Sequence, residues 1–223
     1  PKNKPTFVIQ SPVDTNFFDP NLDYKNTNIN KIENLSDKIV MGTTSNINPV
    51  KGLDVLIKAS KQLKNLQNKI VFLVVGTVYE NQKKYYNYLL ELIRTNNIKN
   101  FYFLGEKDNV REFLHKINVY ICCSNYESSP LAVWEAMSMS KPIISTDVGD
   151  VEKFVTNNVN GMIVPTGTEN GLADAIRKLA TSPRLRNSFG KLSREVAIKE
   201  FNINKCVNLH KKVYKLILNP KIK

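Results

Sequence analysis

Histidine, cysteine and tryptophan are scarce in this 223-residue chain, at two, three and one residues. His115 and His210 lie far apart with no cysteine or carboxylate at ligand spacing, which excludes a zinc site. The odd cysteine count, with Cys122 and Cys123 adjacent inside an apolar run, argues against a disulfide frame and for reduced thiols in a cytoplasmic-type compartment. Long apolar runs are also missing. The longest, IVFLVVG (70–76) and VYICC (119–123), fall far short of the roughly 20 residues of a membrane span. The N-terminal PKNKPTF lacks the apolar stretch of a signal peptide. No Asp-x-Asp occurs, and no repeat of 20–50 residues.

Basic residues are plentiful: 32 Lys and Arg against 20 Asp and Glu give a net charge of +12. Such a balance suits nucleic acid, an anionic membrane surface or a phosphate-bearing ligand. The lysines are spread singly over helix-like segments without interleaved aromatics, which speaks against nucleic acid. The basic, amphipathic tail KKVYKLILNPKIK (211–223) is the exception and could lie on an anionic membrane.

With 42% hydrophobic residues the chain can bury a full core. Short runs rich in Val, Ile and Phe, near 38–42, 70–76, 101–105, 119–124, 142–146 and 161–165, alternate with helical patterns near 52–66, 81–96, 108–116, 130–140 and 169–180. Two further helices follow, near 183–199 and 203–218. Repeated βα units with short right-handed crossovers predict an α/β, Rossmann-like, open and mostly parallel six-stranded sheet with helices on both faces. Residues 1–37 read as a linker, 38–200 as the Rossmann-like domain and 201–223 as a C-terminal helix.

In such a sheet ligands bind at the carboxyl ends of the strands, and NYESSPLAVWEAM (125–137) sits at one of them. Ser129 reads as an N-cap and Pro130 as the first helical residue. The N–H groups of that first turn, with the helix dipole, form a seat for phosphate oxygens. Glu135 leans back toward the same mouth and suits two vicinal hydroxyls of a ribose, while Glu127 reaches another part of the ligand. The eight-residue spacing carries nothing by itself, so on physical grounds alone a structural role stays open beside a ligand role.

ESSPLAVWEAM, KPIISTDVG and NGMIVP, with NPVKGLDVLIKA (48–59), VVGTV (74–78) and FLGEKDNVREFL (103–114), resemble the E-x7-E retaining glycosyltransferases of the two-domain GT-B fold. The resemblance runs from about Ile39 to Tyr214. It implies a donor-binding C-terminal half, with 1–37 an interdomain segment and the last helix packing toward an N-terminal acceptor half, leaving Leu209, Val213 and Tyr214 exposed. Lys51 would face the donor diphosphate, Glu127 the transferred sugar and Glu135 the ribose. Backbone groups of Ser128, Ser129, Pro130 and Leu131 would hold sugar and phosphate. Only Asn46 and Asn48 stand where many members carry an arginine, and Ser140 and Asp150 replace family glycines.

The function implied is transfer of a sugar from a nucleotide diphosphate, UDP by family frequency, to an acceptor in surface polysaccharide or glycoconjugate synthesis. The reaction would be a front-face displacement without a metal or other cofactor. The isolated half would bind donor and transfer nothing. The setting would be cytoplasmic, with a peripheral membrane contact. The alternatives are half of a sugar-nucleotide epimerase, for which the histidines are poorly placed, and a basic nucleic-acid-binding domain.

Overall fold

The computed structural model of the chain describes residues 6–24 and 35–218. Six strands, β1 (Ile39–Thr44), β2 (Ile70–Val75), β3 (Phe101–Phe103), β4 (Val119–Cys122), β5 (Ile143–Thr146) and β6 (Gly161–Val164), form one sheet in the order β3-β2-β1-β4-β5-β6. Every pairing is parallel. Parallel strands carry helices on both faces and so read as continuous apolar runs; β2, IVFLVV, is buried at every position. Alternate residues serve the two faces: Phe72 and Val74 point into one apolar cluster, Val71, Leu73 and Val75 into the other.

The first face is covered by α1 (Leu53–Lys61), α2 (Lys83–Thr95) and α5 (Glu169–Thr181), through Leu53, Leu56, Ile57, Leu89, Leu172 and Ile176. The second carries α3 (Val110–Lys116), α4 (Leu131–Ser138) and the end of α6 (Pro183–Glu200). The α6 helix crosses from one face to the other: its Phe189 belongs to the first cluster and its Ala197 to the second. The α4 helix is apolar nearly all round because it lies between the sheet and α6, with Val133, Trp134, Ala136 and Met137 wholly buried. Trp134 stacks on Phe201 at 4.5 Å and meets Phe154 edge-on at 5.3 Å.

The elements match the predicted pattern, with ends displaced by a few residues: β1 runs on to Thr44, where 42 was expected. The helix predicted over 52–66 stops at Lys61 and resumes as a 3-10 turn, Lys64–Leu66. The helix predicted from 130 contains only Leu131–Ser138, because Met139 and Ser140 leave helical geometry, Ser140 at φ 57°.

The N-terminal segment does more than link. Val13 is buried and its N–H donates to Phe201 O at 2.8 Å. Arg194 donates to the carbonyls of Phe18 (2.6 Å) and Ser138 (2.7 Å) and pairs with Asp19 at 3.3 Å. The Arg111 guanidinium lies 3.6 Å from the Phe17 ring centroid. These contacts strap residues 13–19 across α3, α4 and α6. Long-range polar pairing of this kind leaves no periodic trace in a sequence. Half of the remainder of 1–37, residues 1–5 and 25–34, lies outside the described residues.

The last helix, α7 (Ile203–Leu218), buries only Cys206. Leu209 and Tyr214 are exposed and Val213 is half-buried, and Lys211, Lys212 and Lys215 stand among them. The end of the basic tail lies outside the described residues. Among the described residues no helix is long and apolar enough to cross a membrane.

Candidate functional site

The strand order reverses between β1 and β4, and connections on either side run in opposite directions there, opening a crevice at the carboxyl ends. A cavity of 230 Å³ occupies that point, lined by Thr43 and Thr44 at the end of β1 and Ser45 after it, Tyr120 and Cys122 of β4 with Cys123 and Ser124 beyond it, Lys51, Glu127, and Ser129 to Val133 at the start of α4.

Two loops build its wall. The chain turns after β1 through a 3-10 turn, Pro49–Lys51, capped by Asn48, whose Oδ1 accepts from Val50 N at 3.0 Å. Gly52 ends it at φ 62°, where a Cβ would stand 2.0 Å from Cys123 O, so only glycine fits. The loop after β4 is stitched to this turn by Asn125 N to Val50 O (2.7 Å) and Cys123 Sγ to Lys51 O (3.2 Å). The stitching brings Lys51 Nζ to 2.7 Å from Glu127 Oε1, which also accepts from Ser124 Oγ at 2.7 Å. The pair is partly open to solvent, with side chains 25% and 18% exposed, so its net contribution to stability is modest, about 1 kcal/mol or less. Its chemical value is a held cation. Glu127 Oε2 makes no hydrogen bond among the described residues.

One expectation is corrected. Pro130, not Ser129, is the N-cap of α4, and no side chain caps the helix. The Ser129 hydroxyl is engaged elsewhere: it accepts from Trp134 Nε1 at 3.2 Å and Gln10 Nε2 at 2.9 Å, and Gln10 also donates to Asp150. The indole's need for a partner in the core outcompetes the cap. The N–H groups of Leu131 and Ala132 therefore make no hydrogen bond among the described residues, and both residues line the cavity. They add to the helix dipole's attraction for an anion.

Glu135 stands in the second turn of α4, half-buried and outside the residues that line the cavity, with no hydrogen bond or ion pair to its carboxylate among the described residues. Burial alone pushes it up from an ordinary 4.5 to about 7. A buried carboxylate without a partner is costly, and a ligand offering hydroxyls would relieve it.

The structure thus gathers Lys51, Glu127, Ser129, Pro130 and Leu131 around one cavity, while Ser128 lines a second, outer groove. Asn46 and Asn48 lie on that outer groove, which shares Lys51 and Glu127. Ser45 was not anticipated: its hydroxyl is buried, unpartnered and part of the cavity lining. The signal was available, since Ser45 follows β1 directly at its carboxyl end. Thr44 Oγ1, 3.0 Å from Tyr120 Oη, completes the floor. Neither histidine lines the cavity; His115 lies 4.6 Å from the Tyr24 ring and His210 contacts Cys206 O at 2.8 Å. Among the described residues no group of three or more His, Cys, Asp or Glu could hold a metal ion.

Sheet order and cavity define a Rossmann-like α/β domain with a cavity at its switch point. Residues 25–196 match the family described as Glycosyl transferases group 1, and the chain belongs to that family. An uncharacterized glycosyltransferase of Methanocaldococcus jannaschii is 31% identical over 168 residues, spanning 74% of this chain and 45% of the relative. Among solved structures, a glycosyltransferase from Rickettsia africae superimposes with a TM-score of 0.86 at 22% identity, covering 95% of this chain and 57% of that one. The Anabaena protein HepE, in complex with UDP and glucose, gives 0.84 at 18% identity, covering 94% and 56%. These likenesses establish the GT-B-type fold. The chain spans about half the length of the relatives it matches.

Proposed function

We propose that the chain is the donor-binding half of a retaining glycosyltransferase that moves a sugar from a nucleoside diphosphate to an acceptor hydroxyl, in polysaccharide or glycoconjugate synthesis. The observation that carries this reading is the Lys51–Glu127 pair at 2.7 Å, set beside the unpaired N–H groups at the start of α4. In it the diphosphate sits on Leu131, Ala132 and Lys51, with Ser45 donating its free hydroxyl. Glu135 accepts the ribose hydroxyls and Glu127 orients the transferred sugar.

The acceptor oxygen attacks the anomeric carbon from the face the diphosphate leaves. As the new C–O bond forms, the old one breaks and its electron pair goes to the phosphate oxygen. The acceptor proton passes to that oxygen, and Lys51 stabilises the charge that develops there. UDP is the favoured nucleotide; the UDP-bound Anabaena relative supports that choice. The acceptor belongs to a second half, and this half alone binds donor without transferring. The proposed setting is cytoplasmic, with the basic face of α7 against an anionic membrane.

Titration calorimetry with UDP, GDP and ADP tests the reading. UDP binding is expected, weakened roughly 10- to 100-fold by Lys51→Ala, the size of a lost charge-assisted contact of about 1.5–3 kcal/mol. Unchanged UDP affinity in that variant sinks it.

A further inference from the structure

The Ser129 oxygen collects two donors from distant parts of the chain. Trp134 Nε1 reaches it at 3.2 Å from within α4, and Gln10 Nε2 at 2.9 Å from the N-terminal segment. The same Gln10 nitrogen also donates to the Asp150 carboxylate, so the nitrogen of the amide, and not its oxygen, faces this way. Both donors are seated by one stretch of chain, the junction of α6 and α7. Trp134 stacks on Phe201, Val13 N donates to Phe201 O, and Cys206 Sγ donates to Gln10 O at 3.3 Å.

A hydroxyl has two lone pairs and one hydrogen, and it rotates to suit its neighbours. An indole N–H and an amide N–H only donate, so these two contacts fill both lone pairs of Ser129 and leave its hydrogen. No acceptor among the described residues takes that hydrogen, and Ser129 lines the cavity at the switch point. An unconstrained serine offers a ligand either its oxygen or its hydrogen; this one has only the hydrogen to give. An ionised phosphate oxygen accepts and does not donate, which is the match such a hydroxyl requires.

Gln10 also holds two loops together. Asp150 stands in the loop after β5, which is pressed against the loop before α4: at Gly149, with φ 59°, a Cβ would stand 2.4 Å from Ser128 O. One amide thus bridges the carboxyl-end loops of β4 and β5, reaching residues 119 and 140 positions away along the chain.

We infer that Gln10 is a positioning residue for the cavity: by occupying the second lone pair of Ser129 it makes that hydroxyl a fixed donor to a phosphate oxygen of the bound nucleotide. The phosphate contact rests on the donor reading of the cavity; the direction of the hydroxyl does not.

The test is calorimetry with UDP on the parent chain, Ser129→Ala, Gln10→Met and the double variant. Met matches Gln in length and has no hydrogen to give. Ser129→Ala should weaken UDP about tenfold, the size of a hydrogen bond to a charged group. Gln10→Met should weaken it by about fivefold or more, because the hydroxyl is then free to turn its hydrogen away. The double variant should bind within about twofold of Ser129→Ala alone, since Gln10 acts only through that hydroxyl. Phe17→Ala, which loosens the N-terminal segment at Arg111 and away from Ser129, should stay within about twofold of the parent. Gln10→Leu, with the same expectation, replaces Gln10→Met if that variant does not fold. Parent-like affinity in Ser129→Ala or Gln10→Met, losses that multiply in the double variant, or an equal loss in Phe17→Ala overturns the inference and leaves the donor reading intact. A parent chain that binds no UDP overturns the donor reading, and the phosphate contact with it.

Discussion

Glu135→Gln should make the protein more stable and bind nucleotide less well, and the two effects have one cause. Burial holds the Glu135 carboxyl at about 7 in the folded chain against 4.5 when free. A folded value above the unfolded one means that the native state keeps a proton the unfolded chain has released. Its contribution is therefore whole below pH 4.5 and is lost as pH rises through 7. At about 1.4 kcal/mol per pH unit, the ionised side chain costs roughly 2–3 kcal/mol at pH 8, the lower figure allowing for water that reaches it. The amide resembles the protonated acid in size and polarity. Parent and variant should unfold alike at pH 4.5 and separate between pH 4.5 and 7. At pH 8 the variant's urea midpoint should lie about 1 M higher, for a slope of roughly 2–3 kcal/mol per M. Calorimetry at pH 8 should show UDP affinity down about tenfold, the worth of a charge-assisted contact. A midpoint that falls at pH 8, or rises equally at pH 4.5 and pH 8, refutes the reasoning.

Gly52→Ala places a methyl where 2.0 Å separates it from Cys123 O, at a left-handed φ, so a loss of about 2–4 kcal/mol is expected in urea melts. Wild-type stability there would show that the two loops are not pressed together. Trp134→Ala opens the cluster with Phe154 and Phe201 and should cost about 3–5 kcal/mol. Trp134→Phe keeps most of the packing and removes only the Nε1 hydrogen bond to Ser129, so it should cost distinctly less, and equal losses would contradict this account.

Strands, helices and their order were legible along the chain because each depends on neighbours a few residues away. A run such as IVFLVV is buried on both sides, α2 shows a stripe of Tyr85, Leu89 and Leu92, and Pro183 opens α6. That Glu135 falls inside the helix that follows β4 was legible for the same reason. What needed the folded molecule were pairings across long stretches of chain: Lys51 with Glu127, 76 residues apart, and Gln10 with Ser129, 119 apart. The first arises because the sheet order brings β1 beside β4, the second because the N-terminal segment lies against α4, and no local pattern encodes either adjacency. Ser129 shows the limit most plainly. By neighbourhood it is an ideal cap, yet Trp134 and Gln10 claim its hydroxyl, leaving the first N–H groups of α4 without a side-chain cap. Propensity proposes partners within a turn or two, and packing decides which of them a side chain keeps.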